Sequence, residues 1–271
     1  MGKLVIALVG VGPRGLSVLE RLLVRLAGLD RAVTVWAFDA VGHGDGRVWR
    51  AGQPAWFGAN TTAGESTVRS PDGLLPEERF GSLAVWGGLD PAECPPRRLY
   101  GQYLAAAFAA LCASAPPRVG VRPVVAEVTR IVRTADGLRV DAGGTAYRVD
   151  KAVLTTGHAD VETTREQLTL ARHAERWSGA VYVPPGLAVE MPLDVLPPGA
   201  AVAVRGLGLT FYDVLRAVTL GRGGRFTGGP GGLRYLPSGN EPRLLAMSRG
   251  GLPFLVGRPC PPSPRRRCRC G

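Results

Sequence analysis

The run Leu4-Val-Ile-Ala-Leu-Val-Gly10-Val-Gly12-Pro-Arg-Gly15-Leu-Ser-Val-Leu-Glu-Arg-Leu22 decides the fold. Residues 4–9 are aliphatic without polar alternation, the pattern of a strand buried on both faces. Leu16, Leu19, Leu22, Leu23 and Leu26 then recur at helical spacing, so Gly10, Gly12 and Gly15 form a Gly-x-Gly-x-x-Gly turn between a strand and a helix. In that context Gly10 permits the tight turn, Gly12 lets the backbone approach a pyrophosphate, and Gly15 lets helix and strand pack closely. The helix N-terminus then faces the phosphates, and Pro13, lacking an N–H, fits a first turn whose donors are unpaired anyway. The spacing alone is a weak signal in a chain with 38 glycines. Its competitor is a structural glycine turn in another α/β domain.

Working outward, residues 33–38 read as a second strand ending in Asp39. An acid at that place accepts hydrogen bonds from ribose hydroxyls and repels a 2′-phosphate, which suits FAD or NAD rather than NADP. The alternative is an acid that merely caps a strand end. A similar pattern returns late in the chain. Residues 201–204 form a short apolar run, Arg205-Gly206-Leu-Gly208-Leu-Thr210 supplies a second glycine turn, and 211–220 is helical. This turn has no third glycine, which implies looser packing of strand on helix. Its partner strand is expected at 243–247, displaced by a glycine-rich insertion over 221–239. Ser248 and Arg249 stand there in place of the acid, and a hydroxyl with a guanidinium attracts a 2′-phosphate. The second site is therefore expected to take NADPH over NADH. Codon bias is the competing source of the arginine, since the chain has only Lys3 and Lys151 as lysines among its 33 basic residues.

The net charge of +11 invites a nucleic-acid reading, but its distribution opposes one. Twelve arginines and only two acids lie from Arg205 onward, leaving 21 basic against 20 acidic residues in 1–204. Five of those arginines interleave with proline in the last fourteen residues, a composition of solvated tail. No apolar stretch approaches the roughly 20 residues that span a bilayer. No basic leader precedes the opening strand, so a cytoplasmic location without membrane or nucleic-acid partners is expected. The five cysteines form no Cys-x-x-Cys pair and no ligand set with histidine, so no metal site is expected. Cys112 falls in an Ala-rich helical stretch, 99–113, and reads as a small core residue.

Between the two glycine turns, residues 63–96 carry turn formers with little periodicity. A strand is expected at 119–125 and an antiparallel meander at 128–132, 138–140 and 147–149, broken at Asp136-Gly137 and Gly143-Gly144. The run 152–154 returns to the sheet and ends in Thr155-Thr156-Gly157-His158. A side chain at Gly157 would occupy cofactor space, and His158, lacking a nearby carboxylate, reads as a polar satisfier.

Three segments carry a family likeness: Gly12-Pro13-Arg14-Gly15-Leu-Ser, Gly42-His-Gly44-Asp-Gly46-Arg47-Val48-Trp49, and Pro96-Arg-Arg-Leu-Tyr-Gly-Gln-Tyr103. On these the chain, from about residue 4 to Arg258, resembles the flavoproteins with two dinucleotide-binding domains. More narrowly it resembles a bacterial group described as FAD-NAD(P)-binding proteins, similar at greater distance to the N-hydroxylating flavin monooxygenases. The resemblance implies that Arg14, Gly44, Gly46, Arg47, Val48 and Trp49 lie along FAD. It implies also that Asn60, in Trp56-Phe-Gly-Ala-Asn60-Thr-Thr62, lines the isoalloxazine edge, and that Thr156 and Gly157 close the first pass through the FAD domain. An isolated loop asparagine can equally be a turn residue.

The expected architecture is α/β: a Rossmann-type FAD domain with an antiparallel meander over 1–184, a partial NAD(P)H-binding Rossmann unit over 185–258, and an aberrant tail over 259–271. The resemblance implies an oxidoreductase transferring hydride from NADPH to FAD, with hydroxylation of a nitrogen or sulfur nucleophile in the monooxygenase branch. The cofactors carry such chemistry, and no protein nucleophile or acid/base pair is called for. Two alternatives stand beside it: a truncated, catalytically silent nucleotide-binding protein, and a flavin-dependent NADPH dehydrogenase without oxygen chemistry. The family pattern runs on to elements that return to the FAD domain, and on the resemblance this sequence is expected to be C-terminally truncated with respect to it. The small-molecule substrate is not legible.

Overall fold

The computed structural model describes residues 2–158, 162–229 and 232–253. Contacts divide the chain into two units, residues 1–189 and 190–271. The expected tail over 259–271 lies outside the described residues.

The first unit begins with strand β1 (Leu4–Val9), helix α1 (Pro13–Leu26) and strand β2 (Val33–Asp39). Two short helices, α2 (Glu77–Phe80) and α3 (Leu83–Gly87), lie in the stretch read as turns, and α4 (Arg97–Ala113) leads into β3 (Val119–Val125). Strands β4 (Val128–Thr134), β5 (Gly137–Ala142) and β6 (Thr145–Val149) form an antiparallel sheet of their own before β7 (Lys151–Leu154) and helix α5 (Arg165–Arg176). The main sheet is parallel in the order β3-β2-β1-β7. β1 is central, which is why its sequence is apolar throughout.

Alternation along β1 feeds two cores. Ile6 and Leu8 join Leu16, Leu19 and Leu23 of α1 with Tyr103, Leu104 and Leu111 of α4. Ala7 and Val9 face the other way, with Phe38 and the meander residues Val140, Ala142 and Val149. Helices, parallel sheet and meander therefore form three layers, and each fully buried leucine contributes about 1.5–3 kcal/mol of apolar burial. Tyr147 seals the meander against the sheet, its ring 5.0 Å from Trp36 and 4.9 Å from Phe38, both edge-on. The β5–β6 hairpin closes on Gly143 and Gly144 at φ 54° and 76°, the two positive values that a twist-matched two-residue turn requires.

The stretch over 63–96 is tied down by two side chains. Glu20 of α1 is 1% exposed and its carboxylate accepts the Ser70 and Leu75 N–H groups at 3.0 and 3.3 Å. The buried Tyr103 hydroxyl donates to Phe80 O at 2.9 Å and accepts the Val68 N–H at 3.2 Å.

The second unit contains strand β8 (Ala201–Arg205), helix α6 (Leu209–Val218), strands β9 (Arg225–Gly229) and β10 (Gly232–Leu236), and strand β11 (Arg243–Met247). β8 and β11 pair in parallel, while the glycine-rich insertion forms the antiparallel β9–β10 pair. Glu241 anchors that pair. Its carboxylate accepts the Tyr235 hydroxyl at 2.6 Å and the Ser238 and Gly239 N–H groups at 2.8 and 2.9 Å. These bonds, the Tyr235 hydroxyl first, hold its carboxyl down at about 2, and burial pushes the Tyr235 phenol up to about 12. Because the folded value lies below the ordinary 4.5, the stabilisation is complete above that pH and is lost as pH falls toward 2. The protection factors of the Ser238 and Gly239 amides, each taken against the intrinsic exchange rate at the same pH, are accordingly expected to fall across that window in the native chain and not in Glu241→Gln. Unchanged protection down to about pH 2 would count against this anchoring role.

Candidate functional site

The first glycine turn sits where β1 and β2 end side by side. Gly10 donates its N–H to Phe38 O at 2.8 Å and turns the chain at φ 87°. A Cβ on Gly10 would lie 2.5 Å from Thr155 O, and one on Gly15 would run into Gly10 O. The second glycine cluster lies against this turn: Gly44 N–H donates to Val11 O at 2.6 Å, and a Cβ on Gly46 would meet Gly12 Cα at 3.0 Å. Gly10, Gly12, Gly15, Gly44 and Gly46 are thus gathered into one cradle of bare backbone. Asp39 belongs to it. Its Oδ2 accepts the Val11 N–H at 2.7 Å, and its Oδ1 accepts those of Val41 and Gly42 at 3.0 and 3.2 Å. The carboxylate that was read as a ribose acceptor therefore also fastens the β2 end to the turn.

Helix α1 leaves its N-terminus open toward this cradle. Gly12 is an extended N-cap with no side-chain cap, Pro13 occupies the first turn, and no acid stands there. The first-turn N–H groups and the positive end of the helix dipole are those that a pyrophosphate satisfies. Arg14 is exposed at the same end. Gly157, at φ 79°, has nothing within 4 Å of a built Cβ, and Thr156 beside it is exposed. A Cβ on Gly46 would press on Gly12 and one on Gly12 would touch Gly46 Cα at 3.7 Å, so the two loops approach as bare backbone beside the open helix end, and the residues present fit a dinucleotide such as FAD.

The flank of the cradle is fixed by aromatic packing. Trp49 stands edge-on to Tyr100 at 4.8 Å, and Tyr100 stacks on Tyr103 at 5.7 Å. Burial, with Tyr103 beside it, pushes the Tyr100 phenol up to about 12. Val48 is half-buried next to Trp49 and Arg47 is exposed. His43 stacks on Phe108 at 4.9 Å, with Nε2 2.9 Å from Ala37 O. Asn60 is exposed, in a loop held by the Ala59 N–H to Pro95 O bond at 2.8 Å. His158 is exposed as well.

The second turn repeats the first in backbone detail. Gly206 N–H donates to Met247 O at 2.8 Å, the counterpart of Gly10 to Phe38. Gly206 has φ 109° where Gly10 has 87°, and the N-caps Gly208 and Gly12 match at φ/ψ −81/−165° and −73/−167°. Phe211 occupies the place of Gly15, where the first turn has no room for a Cβ. Gly206, Gly208 and Thr210 are exposed, with nothing within 4 Å of a Cβ built on either glycine. The β8–β11 register pairs Arg205 with Met247, so half-buried Ser248 and exposed Arg249 follow at the strand end next to Gly206, as Asp39 does beside Gly10.

Three residues of this arrangement escaped the sequence. Thr155 bonds to the turn from 145 positions away, at 2.5 Å from Gly10 O. Gly101 lies inside a helix with no local reason to be glycine. Glu20 stands among the leucines of α1 with no local sign of the loop that buries it. Helix α5 also went unread, although Thr164 and Gln167 form a capping box, which is a sequence signature. Among the described residues no group of His, Cys, Asp and Glu is gathered for a metal ion, and no helix is long and apolar enough to cross a membrane.

The profile of the family described as FAD-NAD(P)-binding matches residues 7–159. The nitrosuccinic acid synthase npaA of Aspergillus oryzae is 35% identical over 263 residues, which cover 92% of this chain and 40% of that protein. An L-aspartate N-monooxygenase (nitrosuccinate-forming) of Streptomyces cremeus is 36% identical over 288 residues, covering 93% of this chain and 43% of its own length. The chain spans about two fifths of the length of these curated relatives. A solved flavin monooxygenase from Stenotrophomonas maltophilia aligns over 78% of this chain and 53% of its own, at 18% identity and a TM-score of 0.44.

Proposed function

The chain belongs to the FAD-NAD(P)-binding family, and on that premise we propose that it is an FAD- and NADPH-binding oxidoreductase, a flavin-dependent N-monooxygenase acting on an amino acid such as aspartate. The observation that carries the reading is the pair of matched glycine turns, followed by an acid in one case and by Ser248 and Arg249 in the other. Bound FAD would supply the redox chemistry, taking hydride from NADPH and activating dioxygen. The protein's part is to hold and orient. Gly10, Gly12, Gly15 and Gly46 bring bare backbone to the pyrophosphate, the open α1 N-terminus and Arg14 balance its charge, and Asp39 meets the ribose. Gly206 and Gly208 do the same for NADPH, with Ser248 and Arg249 at the 2′-phosphate. The substrate class comes from the relatives named above, and the substrate-binding residues are not assigned to this chain.

A visible spectrum of the purified protein after FAD is supplied tests the reading, with NADPH oxidation then followed with and without L-aspartate under air. Flavin absorbance with aspartate-stimulated, oxygen-dependent oxidation supports it. FAD binding without any turnover would leave a nucleotide-binding protein, and turnover only with an artificial acceptor would leave a dehydrogenase. Arg249→Ala is expected to weaken NADPH binding about tenfold while leaving NADH unchanged, the size of one exposed charge-assisted contact. Equal loss for both nucleotides, in a direct titration, would remove Arg249 from the 2′-phosphate.

A further inference from the structure

We propose that Thr155 is a positioning residue of the dinucleotide turn, acting with Asp39 to fix the orientation of one peptide plane; the inference rests on the reading of that turn as the FAD site. The carbonyl of Gly10 and the N–H of Val11 belong to the same peptide unit. Thr155 Oγ1 donates to that carbonyl at 2.5 Å, and Asp39 Oδ2 accepts that N–H at 2.7 Å. The plane is therefore gripped at both ends, by a side chain following β7 and by one closing β2. Thr155 is itself seated by its backbone, whose N–H donates to Val9 O at 2.8 Å.

Glycine makes this grip necessary. At φ 87°, Gly10 lies where a residue without a Cβ tolerates many orientations of the following peptide, so the turn sequence alone does not choose one. Without the hydroxyl, the half-buried Gly10 carbonyl loses its side-chain donor, and rotating the peptide to relieve it breaks the Val11–Asp39 bond. The hydroxyl also lies at the strand–helix contact, 3.0 Å from where a Cβ on Gly15 would stand. A displaced peptide thus disturbs Gly10, Gly15 and Asp39 together, which are the three fixed points of the cradle.

The test compares FAD affinity, by quenching of flavin fluorescence, in the full chain and in Thr155→Ser and Thr155→Val. Thr155→Ser keeps the donor and is expected to bind FAD within about threefold of the native protein. Thr155→Val keeps the shape without the donor and is expected to bind roughly ten- to hundredfold more weakly. Hydrogen exchange of the Val11 amide in the flavin-free proteins reads the same grip without cofactor and is expected to accelerate only in Thr155→Val. Should Thr155→Val not fold, Thr155→Ala takes its place as the variant without the hydroxyl. Equal FAD affinity and equal Val11 exchange in the native and donor-less proteins would overturn the inference and leave the flavin reading standing. Absence of FAD binding in the native protein would overturn the flavin reading and the inference with it.

Discussion

Gly10→Ala is expected to abolish FAD retention and to destabilise the first unit by roughly 2–6 kcal/mol. Two costs add. An alanine at φ 87° occupies a backbone region that a Cβ disfavours, and that Cβ would stand 2.5 Å from the Thr155 carbonyl oxygen. The obstacle is backbone rather than the end of a flexible side chain, so relief requires β7 and β1 to part at their C-terminal ends. Those strands are paired from Ile6 to Val9 against Lys151 to Leu154, and their parting would also release the Thr155 hydroxyl from the turn. Urea denaturation followed by tryptophan fluorescence gives the stability change, and flavin content after gel filtration gives the retention. A Gly10→Ala protein that keeps both FAD and native stability would show that the turn is not the close-packed cradle described above.

Much of this cradle was legible because its signals are local. The apolar run of β1, the leucine spacing of α1 and the glycines between them sit within 23 residues, and the structure places β1 over the expected Leu4–Val9. Gly143-Gly144 announced the β5–β6 turn because positive φ at both places is a property of the residue type. The second unit was legible for the same reason, its turn repeating the first in type if not in packing. What escaped depends on distant partners. Glu20, among the leucines of α1, has the look of a solvated helix charge, and only the loop passing over it at Ser70 and Leu75 makes it a buried acceptor. For Asp39 the sequence offers two roles, a ribose acceptor or a cap on the strand end, without choosing between them, and in the structure three backbone N–H groups claim its carboxylate. Thr155 lies in a segment noted for its small residues, and nothing local distinguishes its hydroxyl from that of Thr156. Between the short helices α2 and α3 and the absence of periodicity over 63–96 there is no conflict: four- and five-residue helices are too short to show a period.

Gly101 is the sharpest case of a residue whose role is invisible in sequence, and it carries the second large prediction. It lies inside the 17-residue helix α4, where helix propensity alone says that Gly101→Ala should stabilise the protein by about 1 kcal/mol. The packing says the opposite. A Cβ there would coincide with the Trp49 carbonyl oxygen and would stand 3.0 Å from the Ala51 nitrogen, because the chain leaving the second glycine cluster crosses α4 directly on this residue. Both obstacles are backbone, and Trp49 is also seated against Tyr100 one residue away on the same helix. The substitution must therefore lift the crossing segment off α4, at an overpacking cost of about 3 kcal/mol or more, which outweighs the propensity gain. The loss should extend to the cradle, since Gly44 and Gly46 are held over the first turn by the segment that ends at Trp49. Gly101→Ala is thus expected to lower the denaturation midpoint and to weaken FAD binding in the same protein, while alanine at exposed Gln102, the next position, is expected to be nearly neutral in both measurements. A stabilised Gly101→Ala protein with native FAD affinity would mean that α4 and the Trp49 segment do not touch as described, and the anchoring of the second glycine cluster would have to be sought elsewhere.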